Sequence, residues 1–139
     1  MNFKKIAIAS VAGGLVFWLL GGLIYGMLLT GFMEEHAAGT MTNMRGNDDM
    51  ILWAMIIGNL LQAGLLAYIY DHWANISTFM GGAKAGALIG LLIAGSVGFI
   101  GYAVFSGSDV TWVITDMVVH AVMSAIAGGV IGLVLGKVS

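Results

Sequence analysis

The sequence contains no cysteine and no proline, and only 9% of its 139 residues are charged. Without cysteine there are no disulfides, thiolate metal sites, iron–sulfur clusters or lipid-modified cysteine anchors. Without proline, nothing forces a break inside a helix. The scarcity of charge excludes more. An ordinary soluble domain is about 25% charged and about 45–50% apolar, whereas this chain is 60% hydrophobic. A soluble domain of this size could not cover its surface with so few polar residues. Disorder needs the opposite composition. Five basic residues stand against seven acidic ones, which is no nucleic-acid footprint. The chain reads as a single integral membrane domain over 1–139, with membrane lipid as its first partner and no nucleic acid.

What is present supports that reading. Four apolar segments, 6–32, 50–70, 83–105 and 112–136, reach spanning length, for which about 20 residues suffice. They are too long and too uniformly apolar for barrel strands. An α-helix also satisfies its own backbone in lipid. The expected fold is all-α, a transmembrane four-helix bundle with antiparallel up-down topology. Short connections place consecutive helices side by side. Met1 to Lys5 followed by an apolar run imitates a signal peptide, but the run far exceeds an h-region of about 7–15 residues. It is read as a retained first span.

Lys4, Lys5, Lys84 and Lys137 fall on one side of such a bundle, and only Arg45 on the other. The positive-inside rule then puts both termini in the cytoplasm of a multi-pass protein of the cell's inner (plasma) membrane. Glu34, Glu35, Asp48, Asp49 and Asp109 gather on the outer side. Asn75-Ile76-Ser77 matches a glycosylation triplet but falls in a cytoplasmic loop, so it is read as chance.

The 22 glycines are ordered. Ser10, Gly14, Trp18, Gly22 and Gly26 are four apart in span one, as are Gly82, Gly86, Gly90, Ala94 and Gly98 in span three. Ser124, Gly128, Gly132 and Gly136 repeat the spacing in span four. Residues four apart share a helix face, and small residues let membrane helices approach closely. Gly14, Gly22, Gly26, Gly86, Gly90, Gly98, Gly128 and Gly132 are therefore expected to pack helices in glycine-zipper fashion, with Trp18 as a packing residue. Glycine at packing periodicity and no proline together predict long, mostly unkinked helices. A stripe left unused inside the bundle would serve a homo-oligomer or a larger membrane complex.

Ionisable residues at membrane depth are costly and are the default place to look for function. Asp116 and His120 lie one turn apart on one line with Trp112. His120 is roughly 12 Å below Trp112 at 1.5 Å per residue. With Asn59 and Gln62 of span two, Tyr25 of span one and Tyr102 of span three, they are the candidates for a ligand or proton site. The competing reading is a hydrogen-bonded tie between helices. His36 and Glu35 are the weak metal candidates. Their loop lacks a defined ligand spacing, so a solvated acidic loop is the better reading. No phosphate-cradling loop, HExxH or G-x-S-x-G is present. No catalytic residue and no cofactor is therefore assigned.

Three patterns carry a resemblance: Gly21-Gly22-Leu23-Ile24-Tyr25-Gly26, Gly82-Ala83-Lys84-Ala85-Gly86, and Trp112…Asp116…His120 followed by the Gly128–Gly136 stripe. In these the chain resembles an uncharacterised family of small bacterial membrane proteins, catalogued as a domain of unknown function with four spans. The resemblance implies topology and a bacterial source, and brings no activity. Three functions remain in view. One is a non-enzymatic bundle that associates with itself or a larger complex. The second is a small transporter or channel using the polar cluster around Asp116 and His120. The third is a membrane enzyme or metal or haem protein using His120 with His36 or His72.

Overall fold

The computed structural model describes residues 3–41 and 50–138. Among these residues all regular structure is helical. Helix α1 runs Phe3–Leu23 and continues as a π-helical turn over Ile24–Leu28. The short α2 (Thr30–His36) and α3 (Ala38–Met41) follow. Helix α4 (Leu52–Ile69) also ends in a π-helical turn, Tyr70–Ala74. Helix α5 spans Phe79–Val104 and α6 Val110–Lys137. Four stretches, Phe3–Leu28, Leu52–Ala74, Phe79–Val104 and Val110–Lys137, are long and apolar enough to cross a membrane. The chain is an all-α, antiparallel four-helix membrane bundle. Arg45, Asp48 and Asp49 lie outside the described residues.

The helix ends follow from local chemistry. Thr78 caps α5 by accepting the Gly81 N–H at 3.1 Å. Gly81 and Gly82 thus sit inside the first turn of α5. Asp109 caps α6 by accepting the Trp112 N–H at 2.8 Å. Asn75 ends the π-turn of α4 in the left-handed region, at φ 53°, which asparagine tolerates better than most residues. The two π-turns depart from the uniformly wound helices that absent proline suggested. The first closes with an i→i+5 bond, Leu29 N–H to the Ile24 carbonyl at 2.8 Å.

Helix α6 is central. It packs on α5 along one side and on α1 and α4 along the other. The α5–α6 contact is backbone on backbone. A Cβ on Gly82 would strike the Gly128 carbonyl, and one on Gly86 the Ser124 carbonyl. Gly90 lies under the Ser124 side chain, and Gly132 lies under the Thr78 carbonyl. Lipid tails are as apolar as the side chains, so close approach supplies the attraction here. Helices α4 and α5 make no extended contact among the described residues, although they are consecutive. The bare face of α5 is committed to α6. Only the end of α4 reaches α5, where buried Tyr70 donates to the Gly82 carbonyl at 2.7 Å.

On α1 the packed face is offset by one residue from the stripe read in sequence. Ala9, Gly13 and Phe17 are buried, whereas Trp18 is 40% exposed. Gly14 does pack, with Leu60 3.2 Å from where its Cβ would be. Gly22 and Gly26 meet nothing within 4 Å among the described residues, so they pack no helix there. One residue is about 100° of helix rotation, and the bulky Phe17 ring fills the core in place of the small stripe.

Two substitutions separate these faces. Gly86→Ala drives a methyl into the α6 backbone and is expected to destabilise by about 1–3 kcal/mol. Gly22→Ala meets open space and should be neutral or stabilising by up to about 1 kcal/mol. Denaturant titration in micelles reads both, and equal losses would contradict the glycine seam.

Candidate functional site

The candidate centre sits toward the end of the bundle opposite the termini. Tyr25 is the second residue of the π-turn that closes α1. Widening to an i→i+5 turn changes the angular position of the residues it contains. The Tyr25 hydroxyl meets α6, where it donates to Asp116 Oδ1 at 2.5 Å. Asp116 lies two turns below the Asp109 cap, and His120 one turn further. His120 Nδ1 is 2.9 Å from the Tyr25 oxygen and 3.1 Å from the Asp116 main-chain carbonyl. It is also 3.4 Å from Asp116 Oδ1.

This geometry assigns the protons. A tyrosine hydroxyl has one hydrogen, and here it goes to the carboxylate. The Tyr25 oxygen can then only accept from His120. Every atom facing Nδ1 is an acceptor, so Nδ1 carries the ring proton, and Nε2 is left as the nitrogen that gains or loses one. A carboxylate among apolar helices is costly unless donors surround it. Tyr25 and His120 supply those donors from two different helices.

Above this centre stands a second histidine–carboxylate pair. His36 Nδ1 lies 2.6 Å from Asp109 Oδ2, and the Asp109 N–H donates to the His36 carbonyl at 3.0 Å. These bonds clamp the end of α2 to the start of α6. Aromatic rings fill the space between the pairs. Trp112 stands edge-on to Tyr25 at 6.2 Å, and Phe32 lies 6.1 Å from Trp112 and 4.4 Å from His36. On another side of Asp116 is a cleft of about 550 Å³ between the ends of α5 and α6, lined by Tyr102, Phe105 and Trp112 among others.

Of the residues singled out in sequence, Tyr25, Asp116 and His120 meet in one hydrogen-bonded group, and Tyr102 lines the cleft that Asp116 also lines. Asn59 does not join them. Its amide donates to the Met55 carbonyl at 3.0 Å, and it lines a separate groove of about 290 Å³ between α1 and α4. Gln62 is half-buried on α4 and makes no hydrogen bond to the centre. The reason is depth: α4 packs Asn59 level with Gly14 of α1, eleven residues before Tyr25, which is roughly 16 Å along the helix at 1.5 Å per residue. His36, weighed as a metal candidate with Glu35, has one ring nitrogen engaged by Asp109, and its other lies 3.8 Å from Glu35. Among the described residues no three metal-ligating side chains converge. The clamp itself escaped the sequence reading, although Asp109 stands at N-cap spacing before Trp112.

The hydrogen bond from His36 is the largest cause that holds the Asp109 carboxyl below the usual aspartate range, followed by the Trp112 N–H. A carboxyl whose folded value is lowered stabilises the fold fully above the ordinary range near pH 4 and loses that contribution as pH falls through the lower value. The clamp on α2 should therefore hold at neutral pH and release in strong acid. Amide hydrogen exchange over residues 30–36 reads this. Asp109→Asn keeps a capping side chain but should lose α2 protection already at neutral pH. Equal protection in both proteins would contradict the clamp. No protein-family model matches the chain, and no curated protein or solved structure matches it, so its chemistry is read from its own side chains.

Proposed function

We propose that this chain is a small transport protein in which the Tyr25–Asp116–His120 centre binds and releases a proton. One observation carries the reading: a carboxylate, an imidazole and a phenol from two helices share hydrogen bonds inside an otherwise apolar bundle. A tie between helices needs only one neutral hydrogen bond, worth well under about 1 kcal/mol in a membrane. A charge-bearing pair at that depth is far more costly than such a tie requires. Proton exchange explains the residue types, because an imidazole can take up and lose a proton and a carboxylate beside it stabilises the cation. The four lysines at the terminal end favour cytoplasmic termini, which turns the cleft outward. The glycine patterns and Trp112…Asp116…His120 favour kinship with the uncharacterised small bacterial four-span proteins, and so the bacterial inner membrane.

The test is proton flux into liposomes carrying the purified chain. Asp116→Asn and His120→Ala should each cut the flux at least about tenfold while the helical content stays unchanged. Tyr25→Phe, which keeps both titrating groups, should cut it less. A wild-type chain with no flux under either a pH gradient or a membrane potential would contradict the reading, as would full flux in Asp116→Asn.

A second reading rests on a different surface. Gly22 and Gly26 meet no other described residue, and residues 52–58 of α4 are exposed. This bare region favours self-association in the membrane or docking in a larger complex. Crosslinking in lipid should capture a dimer that Gly22→Leu and Gly26→Leu weaken. A monomer at all protein-to-lipid ratios would contradict it.

A further inference from the structure

The cleft beside the proton centre has a composition of its own. Its volume of about 550 Å³ would hold a small organic molecule, and among the described residues Asp116 is the one charged side chain in its lining. Tyr102, Phe105 and Trp112 contribute rings, while Gly98 and Gly101 leave bare backbone between Val97 and Tyr102 on the α5 wall. Asp116 Oδ1 accepts the Tyr25 hydrogen bond, but Oδ2 takes no hydrogen bond from the described residues. No buried side-chain oxygen among them is left without a partner, so Oδ2 keeps exposed surface, on a residue that lines the cleft. The surrounding charge has one sign. Among the described residues, Glu34, Glu35, Asp109 and Asp116 stand at this end, and Lys4, Lys5, Lys84 and Lys137 at the other.

We infer that the cleft binds a small organic ammonium ion, with its charge against Asp116 Oδ2 and its alkyl groups against the Tyr102, Phe105 and Trp112 rings. The chemistry selects this class. An anion would meet the Asp116 carboxylate and no cationic side chain among the described residues of the lining. A bare metal ion needs several converging oxygens, and no three ligating side chains converge among the described residues. A neutral solute would leave the carboxylate unpaired. An ammonium ion is matched by a carboxylate and by aromatic faces together, since ring faces attract cations and also cover alkyl groups. Glu34, Glu35 and Asp109, at the same end of the bundle, would raise the local cation concentration. The inference rests on the reading of Asp116 as a working carboxylate and adds the ligand that it would exchange against a proton.

The test is calorimetric titration of the full chain with tetramethylammonium chloride in a maltoside micelle, which carries no ammonium head group. Saturable binding is expected to the wild type, with at least tenfold weaker binding to Asp116→Asn. Tyr102 is 42% exposed, so Tyr102→Ala leaves the core untouched, and it should weaken binding about threefold or more. Neopentyl alcohol, uncharged and of similar shape, should not bind. No saturable binding to the wild type, equal binding of neopentyl alcohol, or unchanged affinity in both variants would each overturn the inference. A chain that carries protons but ignores tetramethylammonium overturns this inference and leaves the proton centre standing. Binding without any proton flux overturns the proton centre and leaves the ammonium site standing.

Discussion

The contact on which the structure depends is the backbone seam between α5 and α6. Gly82 and Gly86 lie directly on the carbonyls of Gly128 and Ser124, with no side chain between them. In water such a pair would be one contribution among many. In lipid, where exclusion of apolar surface supplies little, close approach is the main attraction. The seam also fixes where the helices must part. Toward the loop end the small residues of α6 give way to Val113 and Met117, which lie against Gly98 and Gly95. Those larger side chains hold α5 off α6, and the cleft opens beyond them between Tyr102 and Trp112. Tight packing at one end and a gap at the other are two results of one change in side-chain size.

The second face of α6 carries the conventional core. Ala127, Ile131 and Leu135 are buried with Phe17 of α1 and Leu66 of α4. Helix α6 is thus gripped from both sides along its glycine-rich half, and its other half presents Asp116 and His120 at fixed positions. Tyr25 reaches them from the π-turn of α1, where an α-helix would have continued its regular advance. Such turns recur at functional sites because they re-aim a side chain without breaking the helix. The His36–Asp109 clamp above holds α2 down, and with it Phe32 against Trp112. The polar centre is covered from that side by rings, while Asp116 keeps an open edge on the cleft.

Much of the architecture was legible in the sequence, because lipid makes simple demands. Four apolar runs of spanning length could only be helices, and the Gly82–Gly86–Gly90 spacing marked a packed face that the fold uses. The α1 stripe was misleading for a physical reason. Small residues four apart mark a face that can pack, but the position of Phe17 decided which face does. The pairing of Asp116 with His120 was visible as an i, i+4 step. That Tyr25 completes the group was only guessed from depth, since the π-turn that aims it leaves no proline or other marker. Asn59 looked equivalent by its place in span two, yet α4 packs it level with Gly14 and not with Tyr25, beside another groove. His36 was placed with neighbouring acids in sequence, whereas its partner is 73 positions away.

The central claim is that Tyr25, Asp116 and His120 form one titrating centre open to solvent, not an inert tie between helices. Nitrogen NMR of histidine-labelled chain in lipid bilayers tests this most directly. The account predicts a neutral His120 with its proton on Nδ1 at high pH, converted to the doubly protonated ring as pH is lowered, and a changed titration in Asp116→Asn. A His120 ring that holds one protonation state throughout, indifferent to Asp116→Asn, would contradict it.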